Sequence, residues 1–167
     1  MKRICLSTIL YIFLALMLCF STGCSETADE SAYTGTCKIS ISCKTLIDAP
    51  QACDEALYSI LPEDGIILEE VAVGFTEGES VFDVLLRICK KNRIHMEYTK
   101  TPITGSVYVE GIHNLYEFDA GPLSGWLYSV NGVFTNLSCS EYILKDGDRI
   151  LFQYTLSRGE DVGGAVE

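Results

Sequence analysis

Between Cys37 and Cys43 apolar and polar side chains alternate, so that Cys37, Ile39, Ile41 and Cys43 fall on one side of an extended chain. That period of two predicts a half-buried strand. Residues 49–61 predict a helical turn or loop. Pro62-Glu63-Asp64-Gly65 predicts a turn, with short extended pieces at 66–68 and 71–75. The rhythm then changes. Ser80 is placed to cap a helix, Asp83 favours its dipole, and Phe82, Leu85, Leu86 and Cys89 form an apolar stripe. Lys90, Lys91 and Arg93 close its last turn. Beyond it the pattern predicts strands at 95–99, 106–112, 115–118, 126–130, 142–144 and 149–154. Asn131-Gly132 is a strong two-residue hairpin signal, and Lys145-Asp146-Gly147-Asp148 another tight turn. One main helix over a mixed sheet is an α+β pattern.

The first residues follow another logic. Lys2 and Arg3 precede a charge-free run from Ile4 to Phe20, and Ser21-Thr22-Gly23 leads to Cys24. A basic start, an apolar stretch and small residues are the signature of export. The run is short for a membrane span, which needs about 20 residues. The segment resembles a bacterial lipoprotein signal, although Ser21 stands where that family usually has Leu. The resemblance implies cleavage before Cys24 and a lipid on its thiol, which would anchor the chain to the outer side of the cell membrane. Plain secretion and a retained anchor are the alternatives. The expected organisation is a signal at 1–23, a tether at 24–36, one domain at 37–156 and a loose tail at 157–167.

Composition narrows the partners. The chain has 167 residues, with 12 Lys and Arg against 23 Asp and Glu, a net charge of −11. That balance excludes nucleic acid, whose phosphates need clustered cations, and a basic patch for anionic lipid. Of eight cysteines, Cys37, Cys43, Cys53, Cys89 and Cys139 lie in the domain. In an exported chain an odd set of five predicts two bridges and one free thiol. Cys53 is the expected odd one, and at least one bridge should tie the first strand to the helix or to Cys139. No cysteine pair has zinc spacing, and His95 and His113 lie apart from the cysteines. Asp146 and Asp148 belong to a turn. Without a hydrolase elbow, phosphate loop or carboxylate dyad, no enzyme and no resident cofactor are expected.

Three runs, taken in order, point further: Gly78-Glu79-Ser80-Val81-Phe82-Asp83-Val84-Leu85, then Gly125-Trp126-Leu127-Tyr128-Ser129-Val130-Asn131-Gly132, then Tyr142-Ile143-Leu144-Lys145-Asp146-Gly147-Asp148-Arg149-Ile150 with Tyr154-Thr155. Together they resemble the transcobalamin-like C-terminal domain. The resemblance implies a β-grasp-like fold, similar to the small domain of the animal cobalamin carriers. It also implies a corrin-facing surface at Glu110, Gly111, Ile112, His113, Asn114 and Leu115, with Trp126, Leu127 and Tyr128. An aromatic platform beside strand-edge backbone groups suits a flat, amide-fringed disc. Trp126 is equally readable as a packing residue of the sheet. Two functions follow: a surface lipoprotein binding cobalamin or another corrinoid, or an interaction module that docks a protein or cell-wall partner and takes no small ligand.

Overall fold

The computed structural model describes residues 33–164. Cys24, the signal and most of the tether lie outside them. Strand β1 (Gly35–Ser42) is an interior strand of a five-stranded sheet. On one side it pairs antiparallel with β2 (Ile66–Phe75). On the other it pairs parallel with β8 (Arg149–Thr155), Lys38 opposite Arg149 and Ser42 opposite Gln153. Strand β6 (Gly125–Val130) runs antiparallel to β8 and turns into β7 (Val133–Phe134). The order β2-β1-β8-β6-β7, with a parallel pair at its centre, is β-grasp-like. A second, three-stranded sheet holds β3 (Met96–Lys100), β4 (Val107–Ile112) and β5 (Leu115–Tyr116). The protein is α+β, mostly strand.

The predicted alternation in β1 holds: Cys37, Ile39, Ile41 and Cys43 are all buried. They meet Ile150, Phe152 and Tyr154 of β8 in one core. Two short helices, α1 (Lys44–Ile47) and α2 (Glu55–Tyr58), flank a 3-10 turn at Pro50–Ala52. The two extended pieces expected at 66–75 are one continuous strand, because bulges against β1 absorb the interruption at Glu69-Glu70.

The main helix, α3 (Val81–Asn92), begins where expected. Ser80 Oγ accepts from the Asp83 N–H and the Asp83 carboxylate accepts from the Ser80 N–H, a complete capping box. Its buried face is Val81, Phe82, Val84, Leu85, Ile88 and Cys89. Leu86 is half-exposed and does not belong to the stripe. At about 100° per residue it sits ~140° around from Val81, past the rim of the apolar face.

Three further expectations are corrected. Residues 142–144 form no strand; Ser80 and Ile143 share an isolated bridge. The 139–142 loop serves the helix instead: Tyr142 O accepts from Val81 N–H (3.0 Å) and Cys139 O from Phe82 N–H (2.9 Å). Those donors have no partner inside the helix, so this loop is their cap. The tail is not loose in its described part. Residues 157–164 fold back through a 3-10 turn at Glu160–Val162. The Asp161 carboxylate fixes them, accepting from Leu156 N–H (2.7 Å), Ser157 Oγ (3.0 Å) and the Thr155 hydroxyl. Finally, none of the five described cysteines is bridged. Cys37 lies near the start of β1 and Cys43 just past its end, and with Cys89 and Cys139 they act as small apolar side chains in the core. Cys53, expected to be the odd thiol, is unbridged like the rest but only partly buried.

Candidate functional site

The β4–β5 hairpin joins Ile112 to Leu115 through His113 and Asn114. Both central residues have positive φ, 57° and 58°. That is the geometry of a type I′ turn, whose twist matches the strands it joins. Beneath the hairpin two buried donors pin its return strand. Trp126 Nε1 donates to Leu115 O (2.8 Å), and the Tyr154 hydroxyl donates to Tyr116 O (2.7 Å). The indole is 7% exposed and lies edge-on to the Tyr154 ring, centroids 5.3 Å apart. Burial pushes the Tyr154 phenol above its ordinary pKa, which keeps it a donor. Gly111 lets the Tyr116 ring lie flat over the opposing strand; a Cβ there would stand 2.5 Å from Tyr116 Cδ1.

The outer side of the small sheet carries polar and aromatic groups. Tyr116 OH donates to Glu97 Oε1 (2.9 Å), and His95 Nε2 lies 3.0 Å from that oxygen and 3.1 Å from the phenol. These bonds hold the Glu97 carboxyl below its ordinary range, the Tyr116 contact first and His95 second. The same carboxylate raises the Tyr116 phenol. Tyr108 OH donates to Glu117. Partial burial, then that carboxylate, push Tyr108 up to about 12. Asp119 Oδ2 accepts from the Tyr116 N–H (2.7 Å). Phe118 has φ 68° with its ring 60% exposed. A bulky residue in that region is strained and persists only where its surroundings hold it. Here its N–H donates to Ser124 O (3.1 Å) and its carbonyl accepts from Gly121 N–H (3.1 Å).

The nine residues expected at a corrin surface therefore divide. Gly111, Ile112 and Leu115 are buried, and Trp126 is a core anchor, so the exposed indole platform is corrected. Its N–H needed a partner and found the Leu115 carbonyl. Tyr128 stacks on Phe152 at 5.5 Å and donates its hydroxyl to Leu137 O (2.8 Å). Leu127 alternates to the other face of the main sheet, near Gly159. Glu110, His113 and Asn114 keep exposure at the hairpin. His113 Nε2 lies 3.2 Å from Ile60 O. Sequence reasoning read Tyr108 and Tyr116 as sheet-face aromatics and His95 as a strand residue, and missed Phe118 and Glu97. The 106–112 alternation already placed Tyr108 opposite Val107 and Val109. The cross-strand meeting of Glu97 with Tyr116 needs the register of three strands.

A shallow groove of about 520 Å³ lies on the other face of the main sheet, lined by Ser40, Ser42, Lys44, Arg149, Gln153 and Asp161 among others. Its charges are mixed; Glu70 there pairs with Lys38 (3.4 Å) and Arg149. Among the described residues no three His, Cys, Asp or Glu side chains are placed to hold a metal ion. No described helix is long and apolar enough to cross a membrane.

Residues 78–156 match the family model of a domain of unknown function, DUF4430. The matched segment runs from the approach to α3 to the end of β8, so it holds the whole hairpin and both its anchors, and leaves out β1 and β2. No curated protein matches the chain. Among solved structures, haptocorrin in complex with Cbi is 12% identical, TM-score 0.48, over 74% of this chain. This chain spans only 26% of that haptocorrin chain. A proposed metal binding protein from Ruminococcus gnavus ATCC 29149 is 14% identical, TM-score 0.42, over 72% of this chain and 96% of that one.

Proposed function

We propose that this chain is an exported, lipid-anchored binding protein without enzymatic activity, and that its ligand, a corrinoid, meets the outer side of the β4–β5 hairpin. Export and anchoring are supported by Lys2, Arg3, the apolar run to Phe20 and the small residues before Cys24. Burial of the thiols argues against a cysteine nucleophile. Burial pushes Cys37, Cys43 and Cys139 up to about 11 and Cys89 to about 12, so their nucleophilic thiolates are scarce.

The observation that carries the reading is the anchoring of the hairpin. Trp126 and Tyr154 fix its backbone from below, while Tyr108, Glu110, Asn114, Tyr116 and Phe118 keep exposure above. A rigid strand edge with aromatic faces, an amide and carboxylates suits a flat ring system fringed with amides, because little ordering is left to be done on binding. One domain covers one side of such a disc. Affinity is therefore expected in the micromolar range or weaker, about −8 kcal/mol at best.

Calorimetric titration of the full chain in detergent, with cobalamin and with cobinamide, tests this. Tyr108→Ala and Phe118→Ala are each expected to weaken binding by about 1–2 kcal/mol without lowering the melting temperature. A chain that takes up no corrinoid at high micromolar concentration would refute the corrinoid assignment. Mass spectrometry of the mature N-terminus tests the anchor: a diacylglyceryl Cys24 is expected, and a retained Met1 would contradict it.

A further inference from the structure

The outer face of the three-stranded sheet has no partner among the described residues. β3, β4 and β5 turn Tyr98, Val107, Val109, Ile112 and Leu115 to the core. The opposite side presents Glu97, Tyr108, Glu110 and Tyr116, continued by Glu117, Phe118 and Asp119. These groups form one contiguous surface. Glu97 binds Tyr116, Glu117 binds Tyr108, Asp119 holds the Tyr116 amide, and the Glu117 amide donates to Glu110 O (2.9 Å). Tyr108 and Phe118 are 52% and 60% exposed.

Its charge is one-sided. Among the described residues no Lys or Arg comes within ion-pair distance of Glu97, Glu110, Glu117 or Asp119; the His95 ring on Glu97 is the one basic partner. Lys100, at the end of β3, reaches away from the face, its Nζ 5.8 Å from the centroid of the buried Phe82 ring. The carboxylates are thus left without counter-charges beside open aromatic rings.

We infer that this face docks a cationic polypeptide segment, extended and bearing Lys or Arg side chains. Aromatic rings take the apolar stems and attract the cations at their faces, and carboxylates pair with the charges. An anionic lipid surface or a nucleic acid would be repelled by the same field. The inference rests on the hairpin's outer side being a contact surface, and it does not require a corrinoid.

The test is calorimetry on the full chain in detergent with a short peptide alternating Lys and Ser, and with its Glu-Ser counterpart. The Lys peptide is expected to bind, the Glu peptide not. The double variant Glu110→Gln/Glu117→Gln is expected to weaken the Lys peptide roughly tenfold at an unchanged melting temperature. Glu63→Gln/Glu160→Gln, which removes two exposed charges elsewhere, should leave affinity within about twofold. Equal losses in the two double variants would overturn the inference, since net charge alone would then explain the attraction. So would binding of neither peptide. A chain that binds the Lys peptide but no corrinoid overturns the corrinoid assignment and keeps this inference; a chain that binds a corrinoid but not the peptide does the reverse.

Discussion

At Trp126 the ring and the N–H act on different neighbours. The ring fills the core against Tyr154, and the N–H holds the Leu115 carbonyl of the hairpin. Trp126→Ala should therefore destabilise the fold by about 3–5 kcal/mol in urea unfolding. Trp126→Phe retains a ring but removes the indole hydrogen bond to Leu115 O, at a cost of about 0.5–1.5 kcal/mol. Wild-type stability in the alanine variant would show the indole exposed after all. The thiols give a second test at this scale. Burial raises Cys37, Cys43, Cys89 and Cys139 above the usual thiol value of 9.0. Folding therefore holds protons that the unfolded chain releases, and this stabilisation is complete below pH ~9 and lost as pH rises through ~11–12. Alkaline titration should show unfolding across that window, and in native protein Cys53 should be alkylated first. Simultaneous labelling of all five thiols at neutral pH would contradict the buried assignment.

Among the elements, α3 and β1 were legible because each has a periodic apolar face and, for α3, a complete capping box at Ser80 and Asp83. Ser80→Ala should cost about 1 kcal/mol of stability. Residues 142–144 were misread because Tyr142, Ile143 and Leu144 are good strand formers. Their carbonyls and amides instead serve the start of α3, a tertiary partner that local pattern does not reveal. The disulfides were misread because composition and export argue for bridges, whereas the buried thiols are separated among β1, α3 and the 139 loop. The hairpin turn at His113-Asn114 carried no glycine to announce it. The surface around it was legible only in part: Glu110, His113 and Asn114 were named, while of the two readings of Trp126, ring platform or packing residue, the structure shows the packing one. The 157–164 segment hangs on one carboxylate. Burial works to raise Asp161, but the hydrogen bonds from Thr155, Leu156 and Ser157 outweigh it and hold its pKa below the ordinary value. The fastening is therefore present above that ordinary range and lost as pH falls through the depressed value. Asp161→Asn should speed amide exchange at Leu156 and Gly159 while leaving β1 protected; unchanged exchange there would show that the segment is held by packing alone.

Across the whole molecule, the β-grasp-like sheet and α3 form one core, and the small sheet lies on that core with its hairpin pinned by side chains from β6 and β8. Two surfaces result. One is the groove by Ser40 and Gln153, of mixed charge, where Glu70 pairs with Lys38 and Arg149; the other is the aromatic and acidic outer side of the hairpin. A net charge of −11 attracts cations rather than phosphates. The central claim is that contact occurs at the hairpin and not at the groove. The most direct measurement is chemical-shift mapping of the isotope-labelled chain during titration with cobinamide. Shifts are expected to concentrate at residues 108–118 and at Glu97, with Leu127 and Gln153 unmoved. Shifts centred on Ser40, Ser42 and Gln153, or none at high micromolar ligand, would contradict it.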